Sequence, residues 1–257
     1  MTGQTDHNLR GDYSRMRPDY TVDQDWDAYT AAQHDLWRRL YARQAVLLPE
    51  YACEEFRATL ATLDYGAGIP RFDAINRKLG RATGWLREPH EFDYIVEPDI
   101  FHDFFGHVPL LFNPVFADYM QAYGRGGLKA HALGAIEMLA RLYWYTVEFG
   151  LIETPRGLRA YGSGILSSGG EIRYCVDSPN PNRIGFDLLR IMQTRYKIDT
   201  YQETYFVIRD FGELFRATEP DFTPYYAQLG GREPHAAGAV LATDRVYHRG
   251  AAPQRAA

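Results

Sequence analysis

The chain has 257 residues, with 28 Lys and Arg against 33 Asp and Glu for a formal net charge of −5, and is 46% hydrophobic and 24% charged. Such a composition can bury enough apolar surface to offset chain entropy, which excludes disorder as the dominant state. The acidic balance gives no electrostatic footprint for a nucleic-acid backbone, and no apolar run approaches the roughly 18 residues of a membrane span.

Residues 1–20 are polar, hold no sustained period and are expected to form a flexible N-terminal arm. Over residues 22–44, Trp26, Tyr29, Ala32, Leu36 and Leu40 recur at helical spacing and predict a first helix. A second fits residues 52–63 and ends at the turn cluster Tyr65-Gly-Ala-Gly-Ile-Pro70, and a third fits residues 72–79 and stops at Gly80. Further helices are predicted over 98–105, 114–123 and 133–149, the last being the longest and closed by Gly150. Residues 152–161 alternate around Pro155 and Gly157, as a small hairpin would. Residues 187–194 read as helix, 201–208 as strand and 211–217 as a final short helix. The tract from Arg190 to Asp199 alternates charge with apolar residues and reads as a solvated face. Beyond Leu229 the chain becomes rich in Gly and Ala, which predicts a disordered tail over 230–257. The expected fold class is mainly α with a few short β-strands, in a single domain over 21–229. Cys53 and Cys175 match no zinc spacing and read as buried thiols of a reduced compartment. The N-terminus has neither the basic start nor the apolar core of a signal peptide, so the expected address is the cytoplasm.

The densest chemical text is Glu97-Pro-Asp-Ile-Phe-His102-Asp-Phe-Phe-Gly-His107-Val-Pro. Histidines five apart on an unbroken α-helix point about 140° apart. A helix that ends at Gly106 would let His107 swing back until both imidazoles face one point. The apolar neighbours Ile100, Phe101, Phe104, Phe105 and Val108 would hold the rings in a wall of low dielectric. In Arg141-Leu-Tyr-Trp-Tyr-Thr-Val-Glu148-Phe-Gly the carboxylate stands among apolar and aromatic residues, with Trp144 and Tyr145 on its helical face at i−4 and i−3. A carboxylate there must be neutralised, paired with Arg141 or bound to a metal. Two neutral imidazoles and one carboxylate leave several metal positions open, which suits non-haem Fe(II) with O2. Zinc hydrolases use the same donors, and spacing does not choose between them. The turn Gly162-Ser-Gly164-Ile-Leu-Ser167-Ser168-Gly-Gly lacks the final glycine and the preceding long strand of a dinucleotide loop, and reads as a substrate-facing or ligand-orienting loop. Arg87, in Trp85-Leu-Arg-Glu-Pro-His90, is suited to clamp a substrate carboxylate bidentately.

Together with Tyr161-Gly-Ser-Gly-Ile-Leu-Ser-Ser168 and Thr194-Arg-Tyr-Lys-Ile-Asp-Thr-Tyr-Gln202, these segments resemble the aromatic amino acid hydroxylases, most nearly the short bacterial phenylalanine hydroxylases. The likeness runs in order from about Tyr20 to Leu229. It implies that family's catalytic-domain fold, with His102, His107 and Glu148 as iron ligands. It implies Arg87 as the holder of the amino acid carboxylate, and Tyr94, Trp144, Phe149, Gly164 and Ser167 around the substrate. Asp103 and Tyr143 match positions bordering the pterin. The implied activity is an Fe(II)- and tetrahydropterin-dependent monooxygenase that uses O2 to convert L-phenylalanine to L-tyrosine. The N-terminal regulatory domain and C-terminal tetramerisation helix of animal relatives have no match, which implies a monomer. One departure stands out. Family members carry a further stretch, with a Gly-Leu loop and a phenylalanine that stacks on the pterin, before the segment that matches Leu86-Arg87-Glu88. Here Thr83-Gly84-Trp85 adjoins that segment directly, which would remove much of one pterin wall. The alternative reading is a divergent iron-binding member with another reductant or aromatic substrate, or a zinc hydrolase on the same three ligands.

Overall fold

A capping box opens the first long helix. The Thr30 side chain accepts from Gln33 N, and the Gln33 side chain accepts from Thr30 N. Helix α1 therefore runs over Ala31–Tyr51, later at both ends than predicted, behind a single 3-10 turn at Trp26–Ala28. Its buried stripe of Leu36, Trp37, Leu40, Gln44, Leu47, Leu48 and Tyr51 recurs at three and four residues and extends past residue 44, which carries the helix on. Helix α2, Glu54–Leu60, adds Phe56 and Leu60 to the same core. The computed structural model describes Ser14, Arg17, residues 23–71 and residues 98–251. The helix predicted over 72–79, and most of the 1–20 arm, lie outside the described residues.

From Ile100 the chain is helical, its middle forming a π turn at His102–His107 that leads straight into the short helix α3, Val108–Leu111. Asn113 caps α4, Pro114–Ala132, its side chain accepting from Val115 N and Phe116 N. The prediction stops this helix at residue 123, before Gly124, Gly126 and Gly127. The structure carries it through them, because burial of Ala130 and packing against the later helix Phe211–Thr218 outweigh the low propensity of glycine. It closes just before Gly134, whose φ is +66°. Helix α5, Ile136–Tyr143, passes into a second π turn, Trp144–Glu148.

Strands β1, Leu151–Thr154, and β2, Gly157–Ala160, form the hairpin expected from the sequence, with Leu151 opposite Ala160. After them come α6 (Ser163–Leu166), α7 (Glu171–Asp177), β3 (Asn182–Gly185), α8 (Leu188–Met192), β4 (Thr204–Ile208), α9 (Phe211–Thr218), α10 (Thr223–Leu229) and β5 (Val246–His248). The sheet order is β2-β1-β4-β3-β5, with β4 parallel to both β1 and β3 and β5 antiparallel to β3. Every residue of β3 and β4 is buried, so neither strand shows the alternation of a half-exposed one, and β3 is absent from the predicted elements.

Two expectations fail here. Residues 230–251 are not a loose tail: β5 joins the sheet, Arg195 N donates to His235 O, and Gly250 N donates to Asn182 Oδ1. Nor is the tract from Arg190 to Asp199 a solvated face throughout: Arg190, Ile191, Met192 and Thr194 are buried, while Arg195, Lys197, Ile198 and Asp199 are exposed as expected. One contact explains both. Arg190 Nε meets Asp244 Oδ1 at 3.0 Å, with the side chains 6% and 4% exposed. Residues 252–257 lie outside the described residues.

The apolar side chains sort into two clusters. The larger joins α1, α2, the first π turn and β4 through Trp37, Phe56, Phe101, Phe105 and Val207. The smaller lies around Leu139, Tyr145, Ile191 and Met192. Burial of each such large side chain stabilises by about 1.5–3 kcal/mol. Trp144 packs against both clusters, so the second π turn sits at their junction.

Candidate metal centre

The phenylalanines around His102 anchor one side of the first π turn. The Phe101 ring stacks on Phe105 at 4.7 Å and meets Trp37 edge-on at 5.1 Å, while Phe105 meets Phe56 at 5.8 Å. The histidines project away from that wall. The helix does not end at Gly106, as the sequence suggests it should. A π turn closes i→i+5 hydrogen bonds, so residues five apart return to nearly the same azimuth. His102 and His107 therefore converge without a break in the helix. Asp99 Oδ1 accepts from His102 N at 2.9 Å at the head of the turn. Gly106 is required by close approach, because a Cβ there would lie 2.9 Å from Ser163 O.

The second π turn aims Glu148 in the same way, Phe149 N donating to Trp144 O five residues back. Trp144 and Glu148 line one cavity. Tyr145 turns instead to the smaller cluster, its hydroxyl donating to Arg195 O and its ring 4.9 Å from Phe206. The expectation that both aromatics share the Glu148 face holds for Trp144 alone. Arg141 is engaged by Glu137 and by Met192 O, which leaves Glu148 to the histidines.

His102 Nε2 and His107 Nε2 lie 3.0 Å apart. Glu148 places Oε2 3.5 Å from His102 Nε2 and Oε1 3.3 Å from His107 Nε2. Donors held about 2.1 Å from one ion at right angles are about 3.0 Å apart, so the set fits a single metal bound on one face. Among the described residues this is the one group of three or more His, Cys, Asp or Glu whose ligand atoms come so close.

Neighbouring hydroxyls fix the donors. Ser167 Oγ donates to Ser163 O at 2.8 Å; with its proton spent there, it accepts from His102 Nδ1–H at 3.0 Å. That tautomer turns the Nε2 lone pair towards the metal position. Ser163 Oγ lies 3.0 Å from Glu148 Oε2, 3.0 Å from Val147 O and 3.2 Å from His107 Nε2. Gly162 lets this loop press on the backbone that carries the carboxylate, since a Cβ there would collide with Glu148 O. Burial pushes the Glu148 carboxyl up, but His107, His102 and Ser163 outweigh it and hold the group at about 2. Burial pulls His107 down, and the Glu148 carboxylate overrides that to leave the imidazole raised.

Two of the donors, His102 and Glu148, line a cavity of about 140 Å³. Trp144, Phe149, Gly164 and Ser167, all predicted around a substrate, line it, and so do Ser168 and Glu171. Trp144 is held on two sides. Its ring stacks on Tyr196 at 4.4 Å and lies 4.8 Å from Phe149, and its Nε1 donates to Gln202 Oε1 at 3.0 Å. The Tyr143 ring centre is 6.5 Å from that of His107, and Asp103 is near enough to help raise His107. Neither is among the described residues that line this cavity. Arg87 and Tyr94 lie outside the described residues. Asp99, Ser163, Gln202 and Glu171 are site residues that sequence reasoning missed. Asp99 stands within the motif that carries the two histidines and Ser163 within the loop read as ligand-orienting, and that adjacency is a usable signal. Gln202 and Glu171 reach the site only through the tertiary fold.

Residues 73–223 match the sequence model of a family described as biopterin-dependent aromatic amino acid hydroxylase. The chain is 54% identical to a phenylalanine-4-hydroxylase of Chromobacterium violaceum over 90% of this chain and 88% of that one. It is also 54% identical to a phenylalanine-4-hydroxylase of Ralstonia nicotianae, over 97% and 91% respectively. The crystal structure of the Chromobacterium violaceum phenylalanine hydroxylase with bound oxidised Fe(III) superposes with a TM-score of 0.85 at 53% identity, covering 89% of this chain and 94% of that one. The alignment with the Chromobacterium relative spans 261 residues yet takes in 90% of a 257-residue chain. That relative therefore carries residues with no counterpart here, in keeping with the direct junction of Trp85 to Leu86, which lies outside the described residues.

Proposed function

The chain belongs to the biopterin-dependent aromatic amino acid hydroxylases, and we propose that it converts L-phenylalanine and O2 to L-tyrosine with Fe(II) on His102, His107 and Glu148 and a tetrahydropterin as reductant. The observation that carries this reading is a His-His-Glu set that fits one metal, two of whose members, His102 and Glu148, line a cavity walled by Trp144 and Phe149. When bound, the iron and the pterin supply the activation of O2.

The protein's own part is placement. Trp144, clamped by Tyr196 and Gln202, gives a rigid flat surface for the substrate ring, with Phe149 beside it. Gly164 keeps that wall open, because a Cβ there would lie 2.8 Å from Phe149 Cζ. Ser167 keeps His102 in the tautomer that can donate to a metal. Apolar walls around the donors exclude water from the reacting ring. Arg87 takes the substrate carboxylate in this reading and Tyr94 flanks the ring, on the strength of the matched motifs. Asp103 and Tyr143 border the pterin, a role supported by the position of the Tyr143 ring beside His107. A cytoplasmic address belongs to the same reading, supported by two buried free thiols, Cys53 and Cys175. Among the described residues, no helix is long and apolar enough to cross a membrane. The single catalytic domain is extended to residue 251, since β5 completes the sheet.

The test is a chromatographic assay for tyrosine from iron-loaded protein, phenylalanine, a tetrahydropterin and O2, against a control without pterin. Pterin-dependent tyrosine is expected, with iron and activity lost together in His107→Ala and in Glu148→Ala. No tyrosine from protein shown to hold one iron refutes the reading.

A further inference from the structure

An amino acid enters a site as a zwitterion, and its buried ammonium requires an anion. Two side chains that line the cavity among the described residues carry carboxyl groups. Glu148 is committed to the metal face, which leaves Glu171.

Glu171 opens α7 and is fully buried. Its Oε1 is occupied, accepting from the Tyr205 hydroxyl at 2.6 Å and from Gln202 N at 3.2 Å. Its Oε2 is buried and has no hydrogen-bond partner. A carboxylate that serves only the fold has both oxygens satisfied, as Asp244 does: Oδ1 accepts from Arg190 Nε and Oδ2 from Leu241 N. A buried carboxylate oxygen left without a donor, on a residue that lines a cavity, is costly to the fold and points to a donor that arrives with the ligand. Burial lifts the Glu171 carboxyl to about 7, and the bonds from Tyr205 and Gln202 offset only part of the rise.

We propose that Glu171 is a substrate-binding residue whose Oε2 accepts a charge-assisted hydrogen bond from the α-ammonium of the amino acid while its ring lies against Trp144 and Phe149. This assignment rests on the hydroxylase reading above. Gln202 joins the two halves of the pocket, since its Oε1 holds Trp144 Nε1 and its backbone N–H holds Glu171 Oε1. The ring wall and the ammonium acceptor are thus one hydrogen-bonded unit. Such a site selects α-amino acids over aryl acids that lack the amine, because the latter leave Oε2 unpaired.

The experiment is calorimetric titration of the Fe(II)-loaded protein under argon with L-phenylalanine and with 3-phenylpropanoate, which keeps the ring and carboxylate but has no ammonium. The wild type should bind phenylalanine more tightly. Glu171→Gln retains an acceptor for Tyr205 and Gln202; it should weaken phenylalanine about tenfold or more and leave 3-phenylpropanoate within about twofold. The second titration doubles as the check that the variant is folded. Equal losses for both ligands, or no loss for phenylalanine, overturn the proposal. A wild type that binds both ligands equally overturns it without recourse to any variant. Tyrosine formation by the wild type is followed in parallel. Its absence refutes the hydroxylase reading, whereas tyrosine formation without amine selectivity refutes the Glu171 assignment alone.

Discussion

Ser167→Ala isolates the support of a single metal donor. The Ser167 side chain is 2% exposed and accepts from His102 Nδ1–H at 3.0 Å. Alanine removes that acceptor and leaves the N–H buried. An unsatisfied buried donor costs about 1–3 kcal/mol, and at about 1.4 kcal/mol per tenfold this weakens metal binding by about 5- to 150-fold. The ring can escape the cost by moving its proton to Nε2, but that tautomer has no lone pair for the metal, so either route lowers affinity. Loss of an outer partner of a metal-bound histidine generally costs about 10- to 100-fold, which agrees. Anaerobic competition against a chromophoric Fe(II) chelator gives the dissociation constant, and a melting curve checks the fold. A folded variant that binds Fe(II) within about twofold of wild type would refute the tautomer argument, since the Ser167 hydroxyl is the group that holds His102 Nδ1.

Asp244→Ala leaves Arg190 buried and unpaired and should cost about 3–5 kcal/mol in urea unfolding; a loss below about 1 kcal/mol would mean that the segment after residue 230 contributes little to stability. Glu171 holds its proton to about pH 7 when folded against about 4.5 ordinarily, so between those values the folded state binds more protons and stability falls as pH rises. The fall attributable to this group is roughly 3 kcal/mol, and Glu171→Gln should flatten that part of the stability curve; an unchanged slope contradicts the assignment. Gly106→Ala places a Cβ 2.9 Å from Ser163 O and should part α6 from the first π turn, which metal analysis would read as lowered iron occupancy, while full occupancy would show that the loop yields. Arg87→Ala should raise KM for phenylalanine with kcat largely kept, because carboxylate binding is common to ground and transition states; an unchanged KM removes Arg87 from the substrate.

The amphipathic helices are legible in the sequence because a buried stripe recurs every three to four residues, as Leu36, Trp37, Leu40, Leu47 and Leu48 do in α1. The three metal donors are legible from their chemistry, as polar groups inside aromatic text. How they converge is not. No residue type announces an i→i+5 turn, so α-helical geometry demands a broken helix for His107 to swing back and puts Tyr145 on the wrong face. Glu171 resembles any other helix-opening acid until Tyr205, 34 residues later, is folded beside it. The Arg190–Asp244 pair spans 54 residues, so the Gly- and Ala-rich stretch between them reads as slack chain. Strand β3 is silent because burial on both faces erases alternation.

Each π turn has a consequence for how the chain can change in length. An α-helix brings residues four apart onto one face, and a π turn does the same for residues five apart. Loss of one residue within such a turn therefore alters the local backbone ladder by a single hydrogen bond, while the azimuth of the downstream residues is nearly preserved. His102 and His107 would still look the same way with one residue fewer between them. The ligand face is in this sense insulated from a small change in codon number, and the spacing of two ligands along a helix need not be constant for their geometry to be.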